Sequence, residues 1–239
     1  MNISLVKVGS VCAILVTVSL IVAIIIRGVA DLPGLKDLTD DAEQWLLDVN
    51  ANRTAFLSYM WFSLLGSVLL IPAALGFYQA LRVAGALLWI AVAAMFTGAL
   101  LFIASEMILI GMAYELVPAY VEASETIRPA LAAIASTLGG ISRVAWTVGS
   151  FPFLDIGIAL FALAILRTSV VPRWIGWLGL VVALLRGWPQ PLRDVTEVFA
   201  MVGFLGLLAF LVWMVAMGVA LFRLKSGVHE TETRSQSGP

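Results

Sequence analysis

The feature that most constrains this chain is a series of long apolar runs that carry no charge. The first run lies between Lys7 and Arg27 and holds nineteen uncharged residues. Hydrophobic residues make up 62% of the chain and charged residues 12%, whereas a soluble domain is roughly half apolar and a quarter charged. In lipid, backbone groups must find hydrogen bonds within their own segment, so runs of about 20 apolar residues fold as helices. The sequence therefore predicts an all-α, polytopic transmembrane helix bundle.

The apolar runs divide into six spans joined by short polar connections. A seven-span alternative turns the sequence GSFPF, residues 149–153, into a tight hairpin. Residues 1–225 are interpreted as one membrane domain with a retained first span, and the polar residues 226–239 as a disordered tail. The predicted spans are residues 4–26, 55–80, 85–114, 143–167, 171–188 and 195–222.

The fourth apolar run is too long to be a simple span. From Pro129 to Arg167 the chain has 39 residues, which would extend roughly 58 Å as a straight helix. The hydrocarbon core is only about 30 Å thick. We therefore expect this segment to project from the membrane, bend or break, at Gly139–Gly140 or between Gly149 and Pro152, where proline removes a helical hydrogen bond.

The first extramembrane loop contains the pattern of an amphipathic helix. Asp40 followed by Glu43 has the spacing of a capping box at a helix N-terminus. Apolar residues then recur at helical spacing, which predicts a helix lying on the bundle or on the membrane interface. The residues predicted to share the apolar face are Leu38, Ala42, Trp45, Leu46 and Val49.

The distribution of histidine and cysteine argues against the common catalytic and metal centres. Cys12 is the only cysteine and lies in the first apolar run, and the only histidine, His229, lies in the polar tail. Zinc sites, haem ligation and Ser-His-Asp centres rely on these residue types. The net charge of −1 gives no reason to expect a nucleic-acid partner. We predict no catalytic residues, no metal and no cofactor.

Four charged side chains fall inside the predicted spans: Glu106, Arg143, Asp155 and Arg186. A charge at the bilayer centre costs about 2.5–3.5 kcal/mol on insertion scales, so such residues are candidate site residues. Counting the helical rise from the span ends places Glu106, Arg143 and Arg186 at one outer level, and Asp155 near the bilayer middle.

Two interpretations of these charges remain open. In the structural one, Glu106 and Arg143 form an ion pair, Arg186 extends to the headgroups, and Asp155 stabilises the bend at Pro152. In the functional one, the two arginines bind a small anionic or amphipathic ligand in an outward-facing pocket, with Asp155 as a proton or cation site beneath it. Two carboxylates and a guanidinium could also serve acid–base chemistry, but the sequence contains no recognisable nucleophile–base pair.

The charge distribution predicts that both termini lie in the cytoplasm. With this orientation the cytoplasmic connections between spans carry only basic residues, and eleven of the fifteen acidic residues fall on the other side. Basic residues concentrate in cytoplasmic loops of membrane proteins. The predicted location is accordingly a cytoplasmic (inner) membrane, crossed several times.

Two long segments carry a family resemblance. They are NRTAFLSYMWFSLLGSVLLIPAALGFYQALR, residues 52–82, and LDIGIALFALAILRTSVVPRWIGWLGLVVALL, residues 154–185, in which RTSVVPRWIGWLG is the most specific piece. Together with the acidic first loop, they resemble an uncharacterised family of bacterial six-helix membrane proteins, a domain of unknown function. The resemblance implies a bacterial inner-membrane setting and no particular activity.

The function predicted from these observations is non-enzymatic, either as an accessory membrane protein or in binding lipids or small ligands. The alternative is a small secondary transporter or proton-coupled channel that uses Glu106, Arg143 and Asp155. Expected partners are membrane lipids, together with a second copy of the chain or a larger membrane complex.

Overall fold

The computed structural model describes residues 3–187 and 197–224, and every regular element within those ranges is helical. The predicted polar tail, residues 226–239, lies outside the described residues. The α-helices are α1 (Ile3–Val29), α2 (Leu35–Asp40), α3 (Ala42–Ala51), α4 (Arg53–Leu81), α5 (Leu87–Gly111), α6 (Val117–Glu122), α7 (Arg128–Ser150), α8 (Ala159–Thr168), α9 (Arg173–Val182) and α10 (Glu197–Phe222).

Three π-helical segments extend these helices without a break in the chain direction. The first, π1 (Met112–Leu116), joins α5 to α6. The second, π2 (Phe151–Ile158), joins α7 to α8, and the third, π3 (Ala183–Gly187), extends α9. A π turn accommodates one extra residue, so it shifts the face that the following helix presents.

Five of the continuous helical stretches are long and apolar enough to cross a membrane. The predicted helix bundle is thereby confirmed. The predicted span 171–188 corresponds to α9 with π3, whose described residues form a shorter apolar helix. The five long stretches are Ser4–Val29, Arg53–Ala84, Leu87–Glu122, Arg128–Thr168 and Met201–Phe222.

The third and fourth spans are longer than predicted. The third continues through π1 to Glu122, and the fourth begins at Arg128 rather than at residue 143. The fourth runs unbroken through Pro152, so the seven-span alternative with a hairpin at residues 149–153 is wrong. Pro152 lies within π2, where the wider turn accommodates the proline ring without ending the helix.

In the membrane core of the bundle, the backbones of neighbouring helices approach one another closely. A Cβ atom added to Gly9 would lie 2.5 Å from the Cα atom of Gly76, so α1 and α4 cross with almost no space between them. Small residues permit such crossings in lipid, where packing rather than water exclusion drives helix association. Farther along the bundle, Phe77 packs edge-to-face on Phe161 and on Trp213. This core unites α1, α4, α5, π2, α8, α9 and α10.

A second apolar core lies beneath α2 and α3, which cap the bundle at the projecting end of α7. All predicted apolar-face residues except Ala42 are at most 2% exposed, which confirms the amphipathic pattern. Leu38 packs against Gly139, where any side chain would displace it. At 41 residues, the continuous fourth helix is about twice the length that spans the hydrocarbon core, and the loop helices cover its N-terminal part.

The predicted capping box is displaced by one residue. The side chain that caps α3 belongs to Asp41, which accepts a hydrogen bond of 3.0 Å from the Gln44 backbone N–H. Asp40 instead ends the separate short helix α2. The N-cap residue of α2 is Gly34, whose N–H donates to the Asp37 carboxylate at 2.6 Å. Asp41, in the turn between the helices, therefore ends α2 and caps the N-terminus of α3. The sequence had predicted one helix in place of these two.

Candidate functional site

The most buried of the four predicted site residues is Glu106, which is 2% exposed. It projects from α5 toward α4, where Ser63 and Ser67 lie one turn apart on the same helix face. Both hydroxyls donate to Oε1 of the carboxyl group, Ser63 at 2.5 Å and Ser67 at 3.1 Å. The other oxygen, Oε2, is buried and has no hydrogen-bond partner among residues 3–187 and 197–224. Hydrogen bonds from the described residues thus reach only one of the two carboxyl oxygens.

A second pair of buried hydroxyls joins α5 to α7 directly beside Glu106. The Oγ atoms of Ser105 and Ser142 are 2.6 Å apart, and the Ser142 hydroxyl also lies 3.2 Å from the Ser105 carbonyl oxygen. Both residues are essentially inaccessible to solvent. This contact sets residues 105–106 and 142–143 at one level of the bundle, the level that counting helical rise predicted for them.

Arg143 nevertheless points away from Glu106. Its Nη1 donates a 3.2 Å hydrogen bond to the Thr39 hydroxyl on α2. Successive residues of a helix are about 100° apart around its axis. Since Ser105 and Ser142 occupy the α5–α7 contact, their neighbours Glu106 and Arg143 are turned to other helices. The predicted ion pair between Glu106 and Arg143 has no counterpart among the hydrogen bonds of residues 3–187 and 197–224.

Arg186 is engaged with α10 rather than with the other predicted site residues. From π3, its Nη1 donates to the carbonyl oxygen of Gly203 at 3.0 Å. The backbones also come close, because a Cβ atom added to Gly206 would lie 2.7 Å from the Arg186 nitrogen. The contacts of Arg143 and Arg186 with described residues therefore lead to two different elements, α2 and α10.

Asp155 lies within π2 and is partly buried. The hydrogen bonds recorded within the described part of the chain include none to its carboxylate. Around it, π2 crosses α5 closely: a Cβ atom added to Gly98 would lie 2.5 Å from the Gly149 carbonyl oxygen and would also strike Phe153. The segment around Pro152 is therefore packed closely on α5, and its predicted stabilisation by Asp155 has no hydrogen bond to support it among the described residues.

Arg53 satisfies backbone groups that π1 leaves open, a role that sequence inspection missed. In an α-helix the carbonyl of Tyr114 would accept from residue 118, but Pro118 has no N–H. The N–H of Val117 goes to the Met112 carbonyl, which leaves that of Ala113 free as well. The Arg53 guanidinium donates to the Ala113 carbonyl at 2.9 Å and to that of Tyr114 at 3.1 Å.

An open apolar groove runs along π1, with a volume of about 450 Å³. Gly111 forms part of it, and no atom lies within 4 Å of the position that a Cβ atom would take there. Glu115, which is exposed, is the one charged side chain in the lining. The remaining lining residues are Met107, Ile108, Met112, Leu116, Ala119 and Leu138.

Sequence inspection predicted neither the groove nor the hydrogen bonds from Ser63 and Ser67 to Glu106. Ser63 and Ser67 did leave a signal, two hydroxyls at i and i+4 spacing in an apolar span. The groove depends on how α5, π1 and α7 meet, for which the sequence contains no comparable pattern. Within residues 3–187 and 197–224, no three histidine, cysteine or acidic side chains are grouped to hold a metal ion.

Comparison with known proteins identifies the family and adds no activity. No curated protein and no solved structure matches the chain. Residues 10–218 match the model of a family described as Domain of unknown function (DUF4386). This match confirms the resemblance to an uncharacterised family that residues 52–82 and 154–185 suggested. Because the match covers most of the chain, the protein belongs to the DUF4386 family.

Proposed function

We propose that this protein is a non-enzymatic membrane protein that binds a lipid in the groove along π1. The groove itself is the observation that carries the proposal. It is apolar, open to the outside of the bundle, and within the range of about 300–1,000 Å³ typical of small-molecule sites. One of its walls is a π-helical segment, an irregularity that is frequent at functional sites.

The position of the groove favours an amphipathic ligand over bulk hydrocarbon. About 20 residues of helix span the hydrocarbon core, so α5, which begins at Leu87, reaches its far boundary near Met107. The groove begins at Met107 and extends to Ala119. An apolar surface that continues beyond this boundary suits an acyl chain drawn up toward the headgroups.

Charge complementarity indicates the headgroup. Glu115 would attract the ammonium group of a phosphatidylethanolamine and repel an anionic headgroup. We accordingly propose an amine-bearing phospholipid as the ligand. The setting proposed with it is the cytoplasmic membrane of a bacterium, with both termini in the cytoplasm and with self-association or a larger membrane complex as a further possibility for assembly.

Photo-crosslinking would test the lipid site. A phosphatidylethanolamine with a photoactivatable acyl chain is incorporated into proteoliposomes, and crosslinked residues are mapped by mass spectrometry. We expect crosslinks at residues 107–119, displaced by unlabelled phosphatidylethanolamine but much less by phosphatidylglycerol. Gly111→Leu fills the groove and should reduce crosslinking severalfold. Gly140→Leu, at another glycine with open space around it, should not. Crosslinks spread evenly over all spans would refute the proposal.

One observation favours a second candidate function, proton- or cation-coupled transport. Glu106 is a buried carboxyl group whose Oε2 accepts no hydrogen bond from any described residue, and ionisable groups inside membrane bundles commonly lie on proton or ion pathways. The candidate is the predicted alternative that uses Glu106, Arg143 and Asp155. Measurement of ion flux in proteoliposomes, comparing the native chain with Glu106→Gln, tests it.

A further inference from the structure

We infer that Glu106, Ser63 and Ser67 form a binding site for one small monovalent cation, either a proton or a dehydrated Na⁺ or Li⁺ ion. The inference is independent of the lipid groove. It concerns the binding step that coupled transport would require, and that step can exist without transport.

The asymmetry of the carboxyl group is the first argument. Two hydroxyls converge on Oε1, while Oε2 is buried and has no hydrogen-bond partner in the part of the chain that the structure describes. A purely structural carboxyl group would be expected to satisfy both oxygens, because a buried polar atom without a partner costs about 1–3 kcal/mol. Oε2 is therefore the atom to which a proton or a metal ion would bind.

Charge balance is the second argument. A carboxylate in an apolar interior needs a compensating positive charge. The hydrogen bonds of the described residues bring only neutral hydroxyls to Glu106, and the nearby Arg143 donates to Thr39 instead. A bound monovalent cation would make the site neutral.

The ligand chemistry is the third argument. A serine hydroxyl has one hydrogen and two lone pairs, so Ser63 and Ser67 can donate to Oε1 and still present oxygen to an ion. Hard cations prefer oxygen ligands of this kind. With Oε2 the site offers three side-chain oxygens from α4 and α5, which suits a small ion stripped of most of its water.

Labelling with the hydrophobic reagent dicyclohexylcarbodiimide tests the inference. A protonated carboxyl group transfers its proton to a carbodiimide nitrogen, and the carboxylate oxygen bonds to the central carbon. The resulting O-acylisourea rearranges to a stable N-acylurea by acyl migration, so the modified residue gains the mass of one carbodiimide. The full-length protein in detergent would be labelled over a range of pH, in Na⁺, Li⁺ or K⁺ at constant ionic strength.

We expect modification of Glu106 in the native chain and in Asp155→Asn, but not in Glu106→Gln. If the ion is Na⁺ or Li⁺, either should slow labelling severalfold relative to K⁺; if it is a proton, labelling should depend on pH alone. The double variant Ser63→Ala/Ser67→Ala should change the pH or the Na⁺ concentration at half-maximal labelling. Ser142→Ala, which removes a neighbouring hydroxyl outside the site, should leave that midpoint unchanged.

Two results would overturn the inference. The first is a Glu106 that stays unmodified under every condition in which Asp155 is modified, since such a carboxyl group is inaccessible to the reagent. The other is labelling of Glu106, relative to Asp155, that responds to neither pH nor Na⁺. Proteoliposome flux measured on the same preparations separates the two functional questions, because labelling with the expected pattern but no ion flux retains the binding site and rejects coupled transport.

Discussion

The π-helical segments π1 and π2 both include or adjoin a proline, but different contacts stabilise the two segments. Each lies beside a proline that cannot donate a backbone hydrogen bond, Pro118 just beyond π1 and Pro152 within π2. At π1, a guanidinium from another helix supplies the missing donors to two carbonyls. At π2 and in the last turn of α7 before it, the chain instead packs closely against α5, where a Cβ atom on Gly98 would meet both Gly149 and Phe153.

This difference affects what each segment can do. A π turn whose carbonyls are held by Arg53 does not need a tightly packed neighbour on its outer side, and π1 indeed borders the open groove. A π turn pressed against α5 leaves little free space, and π2 is part of the membrane core. π1 thus combines an open outer side with carbonyls held by Arg53, whereas π2 combines close packing with the absence of a side chain at Gly98.

The largest effect is expected from a side chain placed between α5 and π2. Gly98→Leu would put a Cβ atom 2.5 Å from the Gly149 carbonyl oxygen, where backbone must move. We expect a loss of at least about 3 kcal/mol in unfolding free energy, or loss of folded protein, because overpacking usually costs about 1–3 kcal/mol even where side chains can adjust. Thermal unfolding in detergent measures it.

Gly140→Ala is the matched control for this change, since open space surrounds Gly140 on α7. It should retain or slightly raise stability, because alanine favours a helix over glycine by up to about 1 kcal/mol. Equal stability of the Gly98 and Gly140 variants would show that π2 is not packed as described here.

Loss of the guanidinium at π1 should have the next largest effect. Arg53→Leu removes the donors to the Ala113 and Tyr114 carbonyls and should destabilise the protein by about 2–3 kcal/mol. In a Pro118→Ala background, the restored N–H can serve Tyr114, so the cost of Arg53→Leu should fall by about 1 kcal/mol. A double-mutant cycle of unfolding free energies measures this coupling.

The same cycle with Pro152→Ala in place of Pro118→Ala serves as its control. Arg53 does not contact π2, and changes at separate sites add within about 0.5 kcal/mol. Additivity with Pro118→Ala as well would contradict the assignment of Arg53 to the carbonyls freed by that proline.

The hydroxyl pair that links the helices leading into π1 and π2 should contribute less. Ser142→Ala breaks the contacts with the Ser105 hydroxyl and carbonyl oxygen, and should cost about 1 kcal/mol in a thermal unfolding experiment. Thr137→Ala on the same helix removes only a local hydrogen bond to the Ala133 carbonyl and should cost less than about 0.5 kcal/mol. Similar losses for both would mean that the buried pair does not join α5 and α7 energetically.

The smallest effect is expected at the carboxylate of π2. Asp155→Asn should alter unfolding free energy by less than about 0.5 kcal/mol, because the carboxylate accepts no hydrogen bond among residues 3–187 and 197–224 and asparagine keeps its size. A loss above about 1 kcal/mol would instead support the structural role for Asp155 that the sequence suggested.

Local pattern accounts for most of what was predicted correctly. The apolar runs identified the long membrane helices, and the face of α2 and α3 that includes Leu38 and Trp45 is buried as its spacing indicated. The fourth run is longer than a single span needs, and α2 and α3 cover the N-terminal part of the helix that it forms. These features depend on hydrophobicity and on periodicity along one segment, which a sequence displays directly.

The candidate site shows where sequence reasoning stops. Helical rise alone placed residues 106 and 143 at one level, and the Ser105–Ser142 contact agrees with that level. Helical rise does not determine the direction of each side chain. Glu106 accepts hydrogen bonds from Ser63 and Ser67, and Arg143 donates one to Thr39. The sequence determined the helices and the shared level of Glu106 and Arg143 along them, because rise per residue is fixed by the backbone. Only tertiary packing decided the partners, because the rotation of each helix about its axis depends on every helix it contacts.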